Sequence, residues 1–322
     1  MPVRNGTAVM EFILLGLSTD PKIQVILFLI FMLAYMIILI GNTIFIILIV
    51  TNTSLHTPMY FYLSNLSLLD LCYATSALPR MLRDLMSVKK TISYAECATQ
   101  MYMSLSLGET ECILLAIMAY DRYVAICYPL HYTTIMSKMV CVRIAASTWL
   151  CGFLLSISHV ALTLNVDLCG NNVINHFVCE VPEILSLSCE NIIFVEFIIF
   201  VVGVVILLTP VTFIAVSYIK IILSIIKIAS SGGRRKAFST CGSHMIVVTI
   251  FYGSAMAAYM KPRSSSVPGT NKVIAIFYGI VPPMLNPVIY SLRNNDVKVT
   301  FWKFRNSLFV SNKRGKIFID VK

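Results

Sequence analysis

Between Ile23 and Val50 the chain runs for 28 residues without an Asp, Glu, Lys or Arg, and Phe197 to Ile219 repeats the pattern over 23. About 20 apolar residues in a helix, each rising about 1.5 Å, cover the roughly 30 Å hydrocarbon core of a bilayer. A soluble fold has no place to hide two such segments, so the surplus apolar surface must face lipid. Composition agrees. Of 322 residues 58% are hydrophobic and 12% charged, about half the charge of soluble domains. A mean hydropathy of +0.83 excludes a disordered or fibrous chain.

Scanning for further windows of this kind gives spans at about 23–50, 58–80, 97–126, 140–164, 197–222, 237–260 and 273–290. The expected fold is an all-α membrane protein, a seven-transmembrane helix bundle over 23–290, with a short segment (1–22) before it and a tail (291–322) after it. The third span is unusual in carrying Glu109, Glu111, Asp121 and Arg122, and the seventh carries Pro282, Pro283 and Pro287. An odd count puts the termini on opposite sides. With the amino terminus extracellular and the carboxyl terminus cytoplasmic, 16 of the 25 Lys and Arg fall in the cytoplasm, and the 160–195 loop outside has four acids and neither base. The net charge of +10 is then a cytoplasmic excess suited to orientation and anionic membrane lipid, not to nucleic acid. Among the sequons Asn5, Asn52 and Asn65, only Asn5 would meet a glycan. The first 22 residues lack the pattern of a cleaved signal peptide, so the first span is expected to start insertion. Lys298, Phe301, Trp302, Phe304 and Arg305 suit a short amphipathic eighth helix on the inner leaflet.

Cysteine placement tests this topology. Of ten Cys, it puts Cys97, Cys169, Cys179 and Cys189 outside, where disulfides form. Four cysteines allow three pairings. Because three of them share one loop, at least one bridge must tie that loop to the outer end of the third span. No C-x-x-C or H-E-x-x-H spacing points to a resident metal.

Ionisable groups at bilayer depth are costly and mark function. Glu111 and Arg122 are 11 residues apart, about three turns, so they share a helix face, with Glu111 about 16 Å further from the cytoplasm. Asp70 stands 12 residues into the second span, about 18 Å deep, at the level of Glu111. Two readings stand for this pair: a neutral hydrogen-bonded core contact, or a site for a proton or a cation, with Asn42 and Asn286 completing the oxygen set. Glu109 is turned away from Arg122, toward a cavity or another helix. At the inner end of the third span, Asp121 beside Arg122 reads either as a helix-end anchor or, favoured by its place beside a basic loop, as a latch that frees Arg122 when the helices shift. Pro210, Pro283 and Pro287 interrupt helical hydrogen bonding and can serve as hinges.

Certain strings carry a resemblance. They are GN at Gly41, LHTPMYFYLSNLSLLD from Leu55 to Asp70, MAYDRYVAIC from Met118 to Cys127, SY at Ser217, KAFSTCGSHMIVV from Lys236 to Val248, and PMLNPVIYSLRN from Pro283 to Asn294. Together with EFILLGLS at Glu11 they resemble odorant receptors of the rhodopsin-like G-protein-coupled class, from the first span to the seventh. Tyr128, Gly242 and Asn295 depart from the common pattern without touching these strings' switch positions.

The resemblance implies bridges Cys97–Cys179 and Cys169–Cys189. It implies a polar core of Asn42, Asp70, Glu111, Asn286 and Pro287, able to hold a sodium ion, and a microswitch for G-protein coupling of Asp121, Arg122, Tyr123, Tyr218 and Tyr290. It implies a ligand cavity in the outer halves of the spans. Helical spacing selects Ser104, Leu105, Gly108, Glu109 and Cys112 on the third span, Val202, Gly203 and Ile206 on the fifth, and Tyr252, Ala255 and Tyr259 on the sixth. His159 and Lys261 are candidate polar contacts at its mouth. The partners implied are a small volatile odorant and a stimulatory heterotrimeric G protein, at the plasma membrane, with no enzymatic step. A secondary transporter or proton-linked carrier using Asp70 and Glu111 is the rival, though no internal repeat supports it.

Overall fold

A computed structural model of the protein describes residues 10–168, 172–188, 191–227, 230–260, 269–293 and 297–302. Its helices are α1 (Pro21–Thr51), α2 (Pro58–Leu85), α3 (Tyr94–Cys127), α4 (Tyr132–Ile135), α5 (Lys138–Leu164), α6 (Val181–Leu185), α7 (Ile193–Ile226), α8 (Ser231–Tyr259), α9 (Thr270–Gly279) and α10 (Val281–Arg293). Among the described residues six segments are long and apolar enough to cross a membrane: α1, α3, α5, α7, α8 and the Thr270–Tyr290 stretch of α9 and α10. At 28 residues α2 has the length but not the apolarity, because Asn65, Asp70 and several Tyr and Ser dilute its first five turns and Arg80, Arg83 and Asp84 lie on its last two.

Local chemistry sets the helix ends. Asp20 accepts from the Lys22 amide at 2.8 Å and Pro21 opens α1, a residue whose missing N–H is no loss in a first turn. Ser93 and Glu96 form a reciprocal capping box at the start of α3. α7 continues through Pro210 and α10 through Pro287. The break in the last span instead falls at Ile280, just before Pro282 and Pro283, whose rings are tolerated in the first turn of α10.

To the helical bundle the structure adds one element that the sequence reading lacks. A three-stranded sheet caps one end of the bundle, with β1 (Glu11–Leu14) between β2 (Thr91–Ser93) and β3 (Val173–Ile174). β1 pairs antiparallel to β2, Phe12 opposite Ile92, and parallel to β3, Ile13 opposite Val173. Alternation along β1 buries Phe12 and Leu14 and exposes Glu11 and Ile13. Phe12 and Leu14 join Ile92, Met101, Ile174 and Val181 in a small apolar cluster under the cap.

α3 is the axis. Within the apolar windows, 56% of α3 is buried against 17% of α1 and 11% of α7, so α3 runs through the interior while the other two face outward. It packs on α2, α5, α7 and α8. The α3–α5 crossing is tight because residue 152 has no side chain. A Cβ on Gly152 would stand 2.8 Å from the Thr110 amide nitrogen and 2.9 Å from the Ser106 carbonyl. Beside it the Ser106 and Ser156 hydroxyls meet at 2.6 Å.

Candidate functional site

Below the sheet cap lies a cavity of about 440 Å³, within the range of small-molecule sites. α3 supplies Ser104, Leu105, Gly108, Glu109 and Cys112 to its wall, α7 supplies Gly203 and Ile206, and α8 supplies Ala255 and Tyr259. His159 of α5 also lines it. Val202 and Tyr252 do not. Val202 is one residue, about 100° of helix, from Gly203, and Tyr252 turns its hydroxyl to the Cys112 carbonyl at 2.8 Å. Lys261, Asn5 and the Cys169–Cys189 pair lie outside the described residues.

A disulfide holds the cavity's roof. Cys97, in the first turn of α3, is bonded to Cys179, and the Cys179 amide donates to Oε1 of Gln100 at 3.0 Å. α6 follows at once, so Val181, Pro182 and Leu185 are laid across the opening. Glu180, between the bridge and α6, accepts from the Tyr278 hydroxyl. Burial pushes its carboxyl above the usual carboxylate range, opposed by the nearby His176 and the Tyr278 bond.

The cavity's polar feature is Glu109. Its Oε1 stands 3.0 Å from Nδ1 of His159, with both side chains 7% exposed. The residues are 50 apart in sequence and meet because α3 and α5 pack so closely at Gly152. Around this pair the wall is apolar and aromatic, with Phe197 and Phe200 from α7 and Phe251 from α8.

One half-turn further along α3 is a second polar cluster. Both Asp70 oxygens accept from the Asn286 amide, at 3.2 and 3.0 Å, and the Asn42 amide donates to the Ile38 and Pro283 carbonyls at 3.0 Å each. Glu111 lies close enough for its charge and that of Asp70 to interact. Oδ1 of Asn42, Oδ1 of Asn286 and Oε1 of Glu111 are buried without a hydrogen-bond partner. Pro287 packs on Gly41, where a Cβ would lie 3.5 Å from its ring. Asp70, Asn286 and Glu111 are thus neighbours, and buried acceptor capacity is left over on Asn286, Glu111 and Asn42.

Toward the opposite end, Arg122 is 3% exposed and its Nη1 donates to the Met118 carbonyl at 2.9 Å. The expected Asp121 latch is corrected. Asp121 and Arg122 form no ion pair; Asp121 instead accepts from the Tyr132 hydroxyl of α4 at 2.8 Å. Consecutive helical residues diverge by about 100°, which sends the acid outward to α4 while Arg122 turns into the bundle. Tyr218 and Tyr290 are both buried near enough to Arg122 to feel its charge. Tyr123 faces another way, with its hydroxyl 3.4 Å from that of Tyr128 and Lys220 5.6 Å above its ring.

Sequence reasoning assigned no role to His244. Its Nδ1 is 2.8 Å from the Tyr218 hydroxyl and the two rings stack. A histidine amid an otherwise apolar run of α8 was the available signal. Phe197, Phe200 and Gly203 share one face of α7 at helical spacing, so the two aromatics were also within reach; the α6 residues were not, because only the bridge brings them in.

The family model for olfactory receptors matches residues 31–305. Over 298 residues, 92% of its length, the chain is 50% identical to olfactory receptor 13D1 of Homo sapiens, covering 86% of that protein. It is 48% identical over 309 residues to the putative olfactory receptor 2B3 of Homo sapiens, 96% of this chain and 99% of that one. With olfactory receptor 5AR1 of Mus musculus it shares 46% identity over 303 residues, 94% and 98% of the two chains.

Proposed function

Because the chain belongs to the olfactory receptor family of multi-pass plasma-membrane receptors, which are not enzymes, we propose that a small volatile odorant occupies the cavity beside Glu109 and that the far end of the bundle then activates a stimulatory heterotrimeric G protein, raising cyclic AMP. The observation that carries this reading is the order of features along α3. The cavity wall at Gly108 and Glu109, the polar cluster at Glu111 and the buried Arg122 lie on one helix within 14 residues, about 20 Å of rise. A ligand that fits one arrangement of α3 and its neighbours better than another shifts the population toward it.

In this reading α2 is the remaining span, giving seven over 23–290. Its 28 residues rise about 42 Å, and its mid-helix acid Asp70 faces Asn286 rather than lipid. The sheet-capped amino-terminal end is extracellular and the carboxyl terminus cytoplasmic, in accord with the distribution of Lys and Arg. Residues 297–302 are helical, with Val297 and Thr300 buried and Phe301 and Trp302 exposed, a pattern that suits an eighth helix lying on inner-leaflet lipid. Asn42, Asp70, Glu111 and Asn286 would hold a proton or a sodium ion, and the fit rests on their three unpartnered buried oxygens. Such an ion would supply positive charge to balance the acids, where Asp70 and Asn286 tie α2 to α10 and Asn42 ties α1 to α10. Arg122, Tyr218 and Tyr290, with Asp121, form the buried switch for coupling, and Tyr123 lies at its rim.

The test is a cyclic-AMP reporter in cells expressing the receptor and exposed to a panel of volatile compounds, with and without the stimulatory Gα subunit. Compound-dependent signal that vanishes without Gα supports the reading. Transmembrane flux of a solute without such a signal would favour a carrier built on Asp70 and Glu111 instead.

A further inference from the structure

We infer that the ligand of the cavity is a small molecule presenting a hydrogen-bond donor, an alcohol or an amine on an apolar body, with Glu109 as its acceptor; this deepens the ligand reading above and rests on it. One oxygen of Glu109 faces His159 at 3.0 Å, while the other, Oε2, is buried and has no hydrogen-bond partner. A buried acceptor without a donor is an unmet demand, and it is met by whatever enters the space beside it.

Two hydroxyls near the cavity are committed elsewhere. Tyr278 gives its proton to Glu180 and Tyr252 gives its own to the Cys112 carbonyl. The other acid of the wall is Glu196, and no Lys or Arg is among the wall's described residues. Negative charge on a ligand would therefore meet two acids, while His159, the wall group able to carry positive charge, already stands 3.0 Å from Glu109. Much of the rest of the wall, including Leu105, Ile206, Phe200 and Phe251, is apolar, and it takes a carbon skeleton. At about 440 Å³ the space lies near the small end of ligand sites.

A matched series tests this in the full-length receptor with the cyclic-AMP reporter: linear alcohols, amines, aldehydes, methyl ethers and carboxylic acids of six to ten carbons, with surface staining of every variant. The expected result is that an alcohol or amine is the most potent member, its methyl ether being roughly 10- to 100-fold weaker, as expected when a buried acceptor is left without its donor. Glu109→Ala should erase that gap. Glu109→Gln, which keeps an acceptor without the charge, should retain alcohols and lose amines if the ammonium is the donor, and retain both if a neutral donor suffices. Ethers or aldehydes equal to alcohols, preference for the acids, silence of all alcohols and amines, or a gap that survives Glu109→Ala would each overturn the inference. The underlying cavity reading is checked separately by Gly203→Phe. A Cβ there has open space within 4 Å and the residue lines the wall, so the ring should fill the cavity and abolish every response. If responses persist in that variant, the cavity reading fails, whatever the ranking of functional groups.

Discussion

The Tyr218 hydroxyl and Nδ1 of His244 stand 2.8 Å apart, with the rings stacked at 5.8 Å and 17° between their planes. This contact ties α7 to α8 one layer from Arg122, and both partners are buried. Removing the hydroxyl with Tyr218→Phe keeps the stacking and loses the bond, about 1 kcal/mol for a typical intramolecular hydrogen bond. Odorant potency should fall roughly fivefold, with His244→Phe giving a similar fall and the double variant little more than either alone. Concentration–response curves of the three variants at matched surface level check this, and additive losses would show that the two side chains act separately.

The α3–α5 crossing makes a second expectation. Gly152→Val would force carbon against the Thr110 amide and the Ser106 carbonyl, and overpacking of this kind costs about 1–3 kcal/mol or more. Thermal inactivation of detergent-solubilised receptor should shift down by several degrees. Gly253→Ala, on an open helix face with nothing within 4 Å, should leave it unchanged or raise it slightly.

Loss of the Cys97–Cys179 bridge should release α6 from the cavity's roof. The bond closes a segment of 82 residues, for which chain-entropy arguments give about 4 kcal/mol. Flow cytometry of unpermeabilised cells should show Cys97→Ser and Cys179→Ser at a small fraction of wild-type surface level, and the double variant no worse than either.

Glu180 gives the loop a pH dependence. Burial raises its folded-state pKa above that of the unfolded chain, against the lowering effects of His176 and the Tyr278 bond and with a further rise from Glu183. The folded state therefore binds the extra proton, and the stabilisation is complete below the ordinary glutamate value and is lost as pH climbs through the raised one. Thermal inactivation at pH 5 and pH 7.5 should show wild type gaining more on acidification than Glu180→Gln. An equal gain in both would assign the effect to another group.

What could be read from sequence was whatever is local. Charge-free runs announced α1 and α7 because lipid tolerates nothing else there, and helical spacing put Ser104, Gly108 and Cys112 on one face of α3. Tertiary contact decides the rest. The sheet was missed because Glu11–Leu14 pairs with Thr91–Ser93 and with Val173–Ile174, partners far away in the chain. His159 could be nominated only as a mouth residue, since its approach to Glu109 depends on the bare backbone at Gly152. Asp121 was misjudged through its neighbour in sequence, when its neighbour in space is Tyr132.

The central claim is that the cavity at Glu109 and the arginine buried 13 residues further along α3 belong to one signalling path. Odorant-evoked cyclic AMP from Arg122→Ala, compared with wild type at equal surface expression, tests it most directly. The account expects the evoked signal to disappear while the receptor still reaches the membrane. A wild-type response from Arg122→Ala would contradict it.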